Sequence, residues 1–179
     1  MSQVNVNTIA NVSGTSAATI DSNGDLSITG KMTQPAKPAF RVFKRASSGV
    51  GGASGDVTFN NVSFNIGSHW DTSNNYFVAP VAGIYLFNLI AYGVDSDGSA
   101  RTANNPVAVN VQKYTGGSYD IQEEYYGKIN SDSYIPMSFS SHVQLAANER
   151  VKYNVRVGYL YYDTSTTYDY LVLSGHMVG

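Results

Sequence analysis

Three histidines, one acidic turn, a pair of adjacent glutamates and a run of tyrosines are the residues here whose types could do chemistry. A metal centre needs two or more ligands converging on one point, and His69, His142 and His176 lie far apart in the chain. Asp95-Ser96-Asp97-Gly98 resembles a fragment of a calcium loop. A full site needs about six to eight oxygen ligands, and Ser99-Ala100-Arg101-Thr102 continues without a carboxylate. Calcium would require a second loop to complete the shell, so a solvated turn is the simpler reading and no cofactor is expected. Glu123 and Glu124 could be proposed as an acid/base pair, but neighbours on a strand point to opposite faces and cannot flank one bond. No Ser-His-Asp spacing, glycine-rich phosphate loop or zinc-peptidase helix is present, so the chain is read as a non-enzyme.

The tyrosines carry more promise. Tyr159, Tyr161, Tyr162, Tyr168 and Tyr170 flank a polar turn, Asp163 to Thr167. Tyrosine combines apolar area with a hydroxyl at low entropy cost, which suits recognition of a glycan or a protein. Tyr161, Tyr162 and Tyr168 are therefore receptor-binding candidates, with strand packing as the competing reading. Arg101, in the loop Asp95 to Asn105, is the second choice. Tyr170 runs into Leu171-Val172-Leu173 and reads as a packing residue.

Composition limits the partners. Net charge is −2, from 11 Lys+Arg against 13 Asp+Glu, and only 13% of residues are charged. Phosphate-based nucleic-acid binding needs a basic excess, which this chain lacks. No cysteine is present, so disulfides and thiolate sites are excluded. No apolar run approaches the roughly 20 residues that span a bilayer, and Met1 to Ala10 lacks a signal-peptide pattern. Membrane insertion is not expected. Fourteen tyrosines and 17 glycines beside few charges indicate an all-β protein with tight turns.

The elements that must position these residues are read from periodicity. Residues 1–37 contain no aromatic side chain. Val4, Val6 and Thr8 alternate as in a short strand, and Ala18-Thr19-Ile20 and Asp25-Leu26-Ser27-Ile28 flank the turn Asp21-Ser22-Asn23-Gly24, predicting a hairpin. Its few apolar side chains do not offset its ordering entropy, so it is expected to be disordered, or ordered only against something else. Gln34 to Pro38 reads as a stiff linker. From Ala39 the pattern is β throughout. Phe40 and Val42 share a face. Val57 and Phe59 alternate, then Val62, Phe64 and Ile66 alternate in the opposite phase, which predicts a bulge or break at Asn60-Asn61. Ile84 to Tyr92 is apolar on both alternate faces apart from Asn88, as in a strand covered on both sides. One face fills a sandwich; a neighbouring subunit is the simplest cover for the other. Val107 to Val111, Tyr119 to Lys128, Met137 to Leu145, Val151 to Val157 and Tyr168 to Val178 supply further strands. Eight to ten short strands imply a sandwich or jelly roll.

Specific residues then carry a resemblance. Pro38-Ala39-Phe40, Val57-Thr58-Phe59, Asn65, Trp70-Asp71, the run Tyr76-Phe77-Val78-Ala79-Pro80-Val81-Ala82-Gly83-Ile84-Tyr85-Leu86-Phe87, Val143-Gln144-Leu145, Asn148-Glu149-Arg150-Val151 and Leu173-Ser174-Gly175-His176-Met177 follow in order. Together they resemble the globular head of complement subcomponent C-one-q and its tumour-necrosis-factor-like relatives, over residues 38–179. Asn148-Glu149 departs from the Gly-Asp common there. The resemblance implies an all-β, ten-strand jelly-roll sandwich forming a homotrimer, with Ile84, Tyr85, Leu86, Phe87, Leu89, Ile90 and Tyr92 on the strand at the trimer contact, one face filling the sandwich and the other the interface. The family's strand order would place His142 and His176 two strands apart, about 9.6 Å, too far to share one metal. Copies of one histidine could converge only across a threefold axis.

The segment Val6 to Gly30 is similar to N-terminal segments of tailed-phage virion proteins, and it has no Gly-X-Y repeat. The reading that follows is a non-enzymatic bacteriophage structural protein, assembled in the host cytoplasm. Residues 1–37 form an attachment arm to other virion proteins. Residues 38–179 form a trimeric knob of a tail or head fibre that attaches to a host surface glycan or protein. The alternatives are a capsid decoration protein and a non-viral trimeric recognition module.

Overall fold

The computed structural model describes residues 6–29, 37–46, 49–51, 55–128, 132–162 and 167–178. The chain divides into two compact units, Met1–Pro35 and Ala36–Gly179.

In the first unit, β1 (Thr8–Ala10), β2 (Ser16–Ile20) and β3 (Leu26–Ile28) form an antiparallel three-stranded sheet in the order β1-β2-β3. The predicted hairpin is the β2–β3 pair. Its turn is held by Asp21, whose Oδ1 accepts from the N–H of Asn23 and of Asp25 at 2.8 and 3.0 Å. A second turn uses Asn11, whose Oδ1 accepts from the N–H of Ser13 and Thr15, with Gly14 at φ 81° supplying the left-handed step. The first strand starts at Thr8 rather than Val6, and Val4 and the linker residues Gln34 to Ala36 lie outside the described residues. Ala18 is buried, whereas Ile9, Ile20, Leu26 and Ile28 are exposed.

In the second unit, twelve-residue β10 (Gly83–Val94) is the organising strand. It pairs antiparallel with β13 (Ile135–Leu145) on one side and with β16 (Val172–Met177) on the other. β4 (Ala39–Phe43) and β7 (Asn61–Ile66) extend the sheet beyond β16, while β15 (Tyr159–Tyr162) pairs with the end of β10 and with β5 (Gly49–Gly51). The facing sheet runs β12 (Ser118–Gly127), β11 (Val107–Thr115), β14 (Arg150–Val157), β9 (Tyr76–Val78), β8 (Trp70–Asp71), with β6 (Gly55–Asp56) paired to β14. The non-consecutive strand order makes the sandwich a jelly roll.

The core between the sheets is aromatic at one end. Phe40 stacks on Trp70 and Phe77 at 4.9 and 5.4 Å, and Phe77 meets Tyr85 and Phe87 at 5.2 and 5.5 Å. Each such pair contributes about 0.5–1.5 kcal/mol beyond its buried area. The opposed phases of Val57/Phe59 and Val62/Phe64/Ile66 have a simple cause. Val57 and Phe59 are buried in the core in a segment outside any strand, and β7 then turns Val62, Phe64 and Ile66 outward. The β4–β7 register shifts between Arg41 and Val42. Asn65 fixes the turn that follows, exchanging side-chain bonds with the N–H and C=O of Trp70, both at 3.0 Å.

Gly175 sits on β16 opposite both Phe40 and Phe87. A β-carbon there would lie 2.7 Å from a ring carbon of each. Gly175→Ala should therefore cost about 1–3 kcal/mol through overpacking, read as a lower urea midpoint at unchanged slope.

Candidate functional site

The two outer faces of the sandwich differ in chemistry, and the difference starts with the alternation of β10. Tyr85, Phe87, Leu89 and Ala91 are buried in the core. Their neighbours Ile84, Leu86, Asn88, Ile90 and Tyr92 point outward. The structure thus splits the sequence-predicted contact strand. Tyr85, Phe87 and Leu89 belong to the sandwich, because period-two alternation commits them inward. Ile84, Leu86, Ile90 and Tyr92 carry the outward face.

Register extends that face across the sheet. One row reads His142, Leu86, His176, Ala39, Ile66; the next reads Ser140, Asn88, Ser174, Arg41, Phe64. Within these rows Arg41 is the charged residue. Ile84, Ile90, Phe64, Ile66 and Val178 remain 44–49% exposed. His142 and His176 flank Leu86 from opposite sides, so an intervening strand separates them, and among the described residues no cluster of three or more His, Asp or Glu could hold a metal ion.

The opposite outer face is charged and already paired. Lys152 bridges Asp56 at 2.8 Å, and Arg156 forms a two-pronged bridge to Glu124 at 2.5 and 2.7 Å. The Arg150 guanidinium lies over Tyr76 and Tyr114 at 4.8 and 5.2 Å. Arg156 beside Glu124 holds that carboxyl below its usual range. Such groups prefer water.

A third feature stands at the β15 end of the sheet. Tyr92, Tyr134, Tyr161 and Tyr170 line a pocket of about 270 Å³. Tyr92 meets Tyr170 edge to face at 6.0 Å, Tyr161 meets Tyr170 at 5.2 Å, and Tyr134 meets Tyr161 at 6.0 Å. Of the predicted tyrosines, Tyr161 is in this pocket. Tyr168 is 64% exposed beside Tyr170, at 6.3 Å. Tyr162 packs against the core and lies under the Lys44 ammonium at 5.4 Å. Tyr170, read from sequence as a strand-packing residue, instead precedes β16 and joins the pocket because its strand starts only at Val172. Tyr134 was not singled out by sequence reasoning, and no local pattern marks it.

Arg101 is a correction. It is buried to 9% exposure, donating to Asp95 Oδ1 and the Val94 and Pro106 carbonyls. Its two terminal nitrogens close its own loop, while Nε is buried without a hydrogen-bond partner, so the side chain is a buried clasp rather than the free surface cation the sequence suggests. Asp95 Oδ2 accepts from the Thr102 hydroxyl and N–H at 2.7 and 2.9 Å, and Asp97 Oδ1 accepts from the Ser99 N–H at 2.9 Å. The carboxylates of the calcium-like fragment therefore serve the turn itself.

Comparison with known proteins agrees with the architecture. The C1q domain family model matches residues 39–178. The chain belongs to the C1q domain family, whose head, with that of tumour-necrosis-factor-like proteins, is a generally non-enzymatic jelly roll. The solved globular domain of zebrafish complement 1qA protein is similar at 17% identity and TM-score 0.58, covering 80% of this chain and 98% of that one. Murine APRIL is similar at 10% identity and TM-score 0.59, covering 79% and 99%. No curated protein matches the sequence.

The Arg101 clasp has a pH signature. The Thr102 hydroxyl and N–H, with the Arg101 guanidinium, hold the Asp95 carboxyl below its ordinary value of 3.8. A depressed folded-state value adds stability at neutral pH that is lost as pH falls through it. Asp95→Asn should melt below the wild type at pH 7. The gap should close as pH drops beneath 3.8 in a thermal-melt series.

Proposed function

We propose that three copies of this chain assemble through the outward face of β10 and its neighbours into a non-enzymatic recognition knob. The observation that carries this reading is the contrast between the two outer faces. One is apolar and nearly free of charge in its rows; the other is laced with ion pairs. Water suits the second, and a protein surface of the same kind suits the first. The family's trimeric habit gives the number.

The knob is read as part of a tailed-phage virion, carried as a fibre tip that meets the host surface. Support comes from the similarity of Val6 to Gly30 to virion N-terminal segments, and from the arm's exposed Ile9, Ile20, Leu26 and Ile28. A sheet that buries little of its own apolar surface gains by docking on other virion proteins. Three linked heads also let individually weak contacts suffice for host attachment.

Light scattering on dilute native protein should return three times the 19.3 kDa chain mass. Ile90→Glu should reduce it to one chain with the β signal intact, since an unpaired carboxylate buried between copies costs several kcal/mol. A wild type of single-chain mass would refute the assembly.

Proteolysis tests the arm. Residues 1–37 should be cut quickly in the free protein and resist cleavage in assembled particles. Equal protection in both states would remove the attachment role.

A further inference from the structure

The tyrosine pocket has a geometry that selects one kind of ligand. Successive rings, Tyr92 to Tyr170, Tyr170 to Tyr161 and Tyr161 to Tyr134, meet at 69°, 72° and 66°. The walls are thus ring planes set at steep angles to one another. A sugar ring stacks on a single flat aromatic platform; steep walls suit a compact, rounded group. The volume, about 270 Å³, falls below the roughly 300–1,000 Å³ of sites for drug-sized ligands.

Charge narrows the choice further. Among the described residues the lining is Tyr92, Tyr134, Tyr161 and Tyr170. It includes no carboxylate to neutralise a hydrated ammonium and no cation to hold an anion. Among the described acids, Asp95 is engaged with Arg101 and Thr102, Asp132 accepts from the Ala103 N–H at 2.7 Å, and Asp169 pairs with Arg41 and Arg45 at 3.1 and 2.7 Å. Where one of these rings turns its face to the cavity, it offers the negative side of its quadrupole. That attracts a cation whose own hydration is weak. We propose that this tetrad is a binding box for a quaternary or methylated ammonium group, such as a choline headgroup. Four separate segments supply it: the end of β10, the residue before β13, β15, and the approach to β16. Tyr92 belongs to the outward face of β10 but is its last outward residue, beyond Ile90 and away from Ile84, so the box lies at the margin of the assembly face rather than within it.

The inference rests on reading the head as a recognition module, but not on the virion placement or the copy number. The test titrates the full chain with choline and with 3,3-dimethylbutan-1-ol, its uncharged isostere, and follows tyrosine-ring signals by NMR. Choline should bind at least about tenfold more tightly than the alcohol. Tyr161→Phe should retain most of that affinity, and Tyr161→Leu should lose it by about tenfold or more. Tyr92→Leu serves as the second variant should Tyr161→Leu fail to fold. Equal binding of both ligands, or no binding of either, overturns the cation box. Adsorption of particles to host cells, measured with and without excess choline, separates the two claims. Adsorption in a chain that does not bind choline leaves recognition standing and sinks the box alone.

Discussion

The double coverage demanded by β10 is the constraint from which the rest follows. A strand with Tyr85, Phe87 and Leu89 on one side and Ile84, Leu86 and Ile90 on the other cannot satisfy both faces within a single sandwich. The inner set is settled by the chain itself. Complete burial of side chains of this size stabilises by about 1.5–3 kcal/mol each, and the aromatic cluster around Phe77 and Phe40 adds directional contacts. Of the outer set, Ile84 and Ile90 are left with about half their surface in water, and Leu86 is half-buried. The same arithmetic that drives the core then favours association.

The neighbouring strands follow this asymmetry closely. β13 places Met137, Val143 and Leu145 inward and Ser138, Ser140 and His142, none of them a carboxylate, Lys or Arg, outward. β14 does the reverse with its outward set, presenting Arg150, Lys152 and Arg156 beside Asp56 and Glu124. Neutral outward residues can be covered without stranding a charge, whereas covering β14 would desolvate paired ions at a cost their attraction does not always repay. The two sheets are therefore suited to different surroundings by the outward half of each strand.

Much of this was legible in the sequence, and the limits have physical causes. Period-two alternation marks strands and their faces, so β10, β13 and β14 could be read directly, as could the phase reversal between Phe59 and Val62. The β2–β3 turn announced itself through Asp21 and Gly24. Long-range constellations left no such trace. Tyr92, Tyr134, Tyr161 and Tyr170 come from four segments, and only the strand order brings them together. Tyr170 looked like a packing residue because the apolar run after it hides where β16 begins. Arg101 looked like a free surface cation, since its partners include the carbonyls of Val94 and Pro106, and backbone acceptors have no signature in a sequence.

The absence of cysteine makes the central claim directly measurable. Ile90→Cys places a single thiol on the outward face of β10, and Ile121→Cys places one on β12, where Ile121 is 56% exposed. Reaction of each variant with a water-soluble maleimide in native buffer reports whether the site is covered. The account predicts rapid labelling at position 121 and strong protection at position 90, lost when the assembly is dissociated. Equally fast labelling at both positions in the native protein would contradict it.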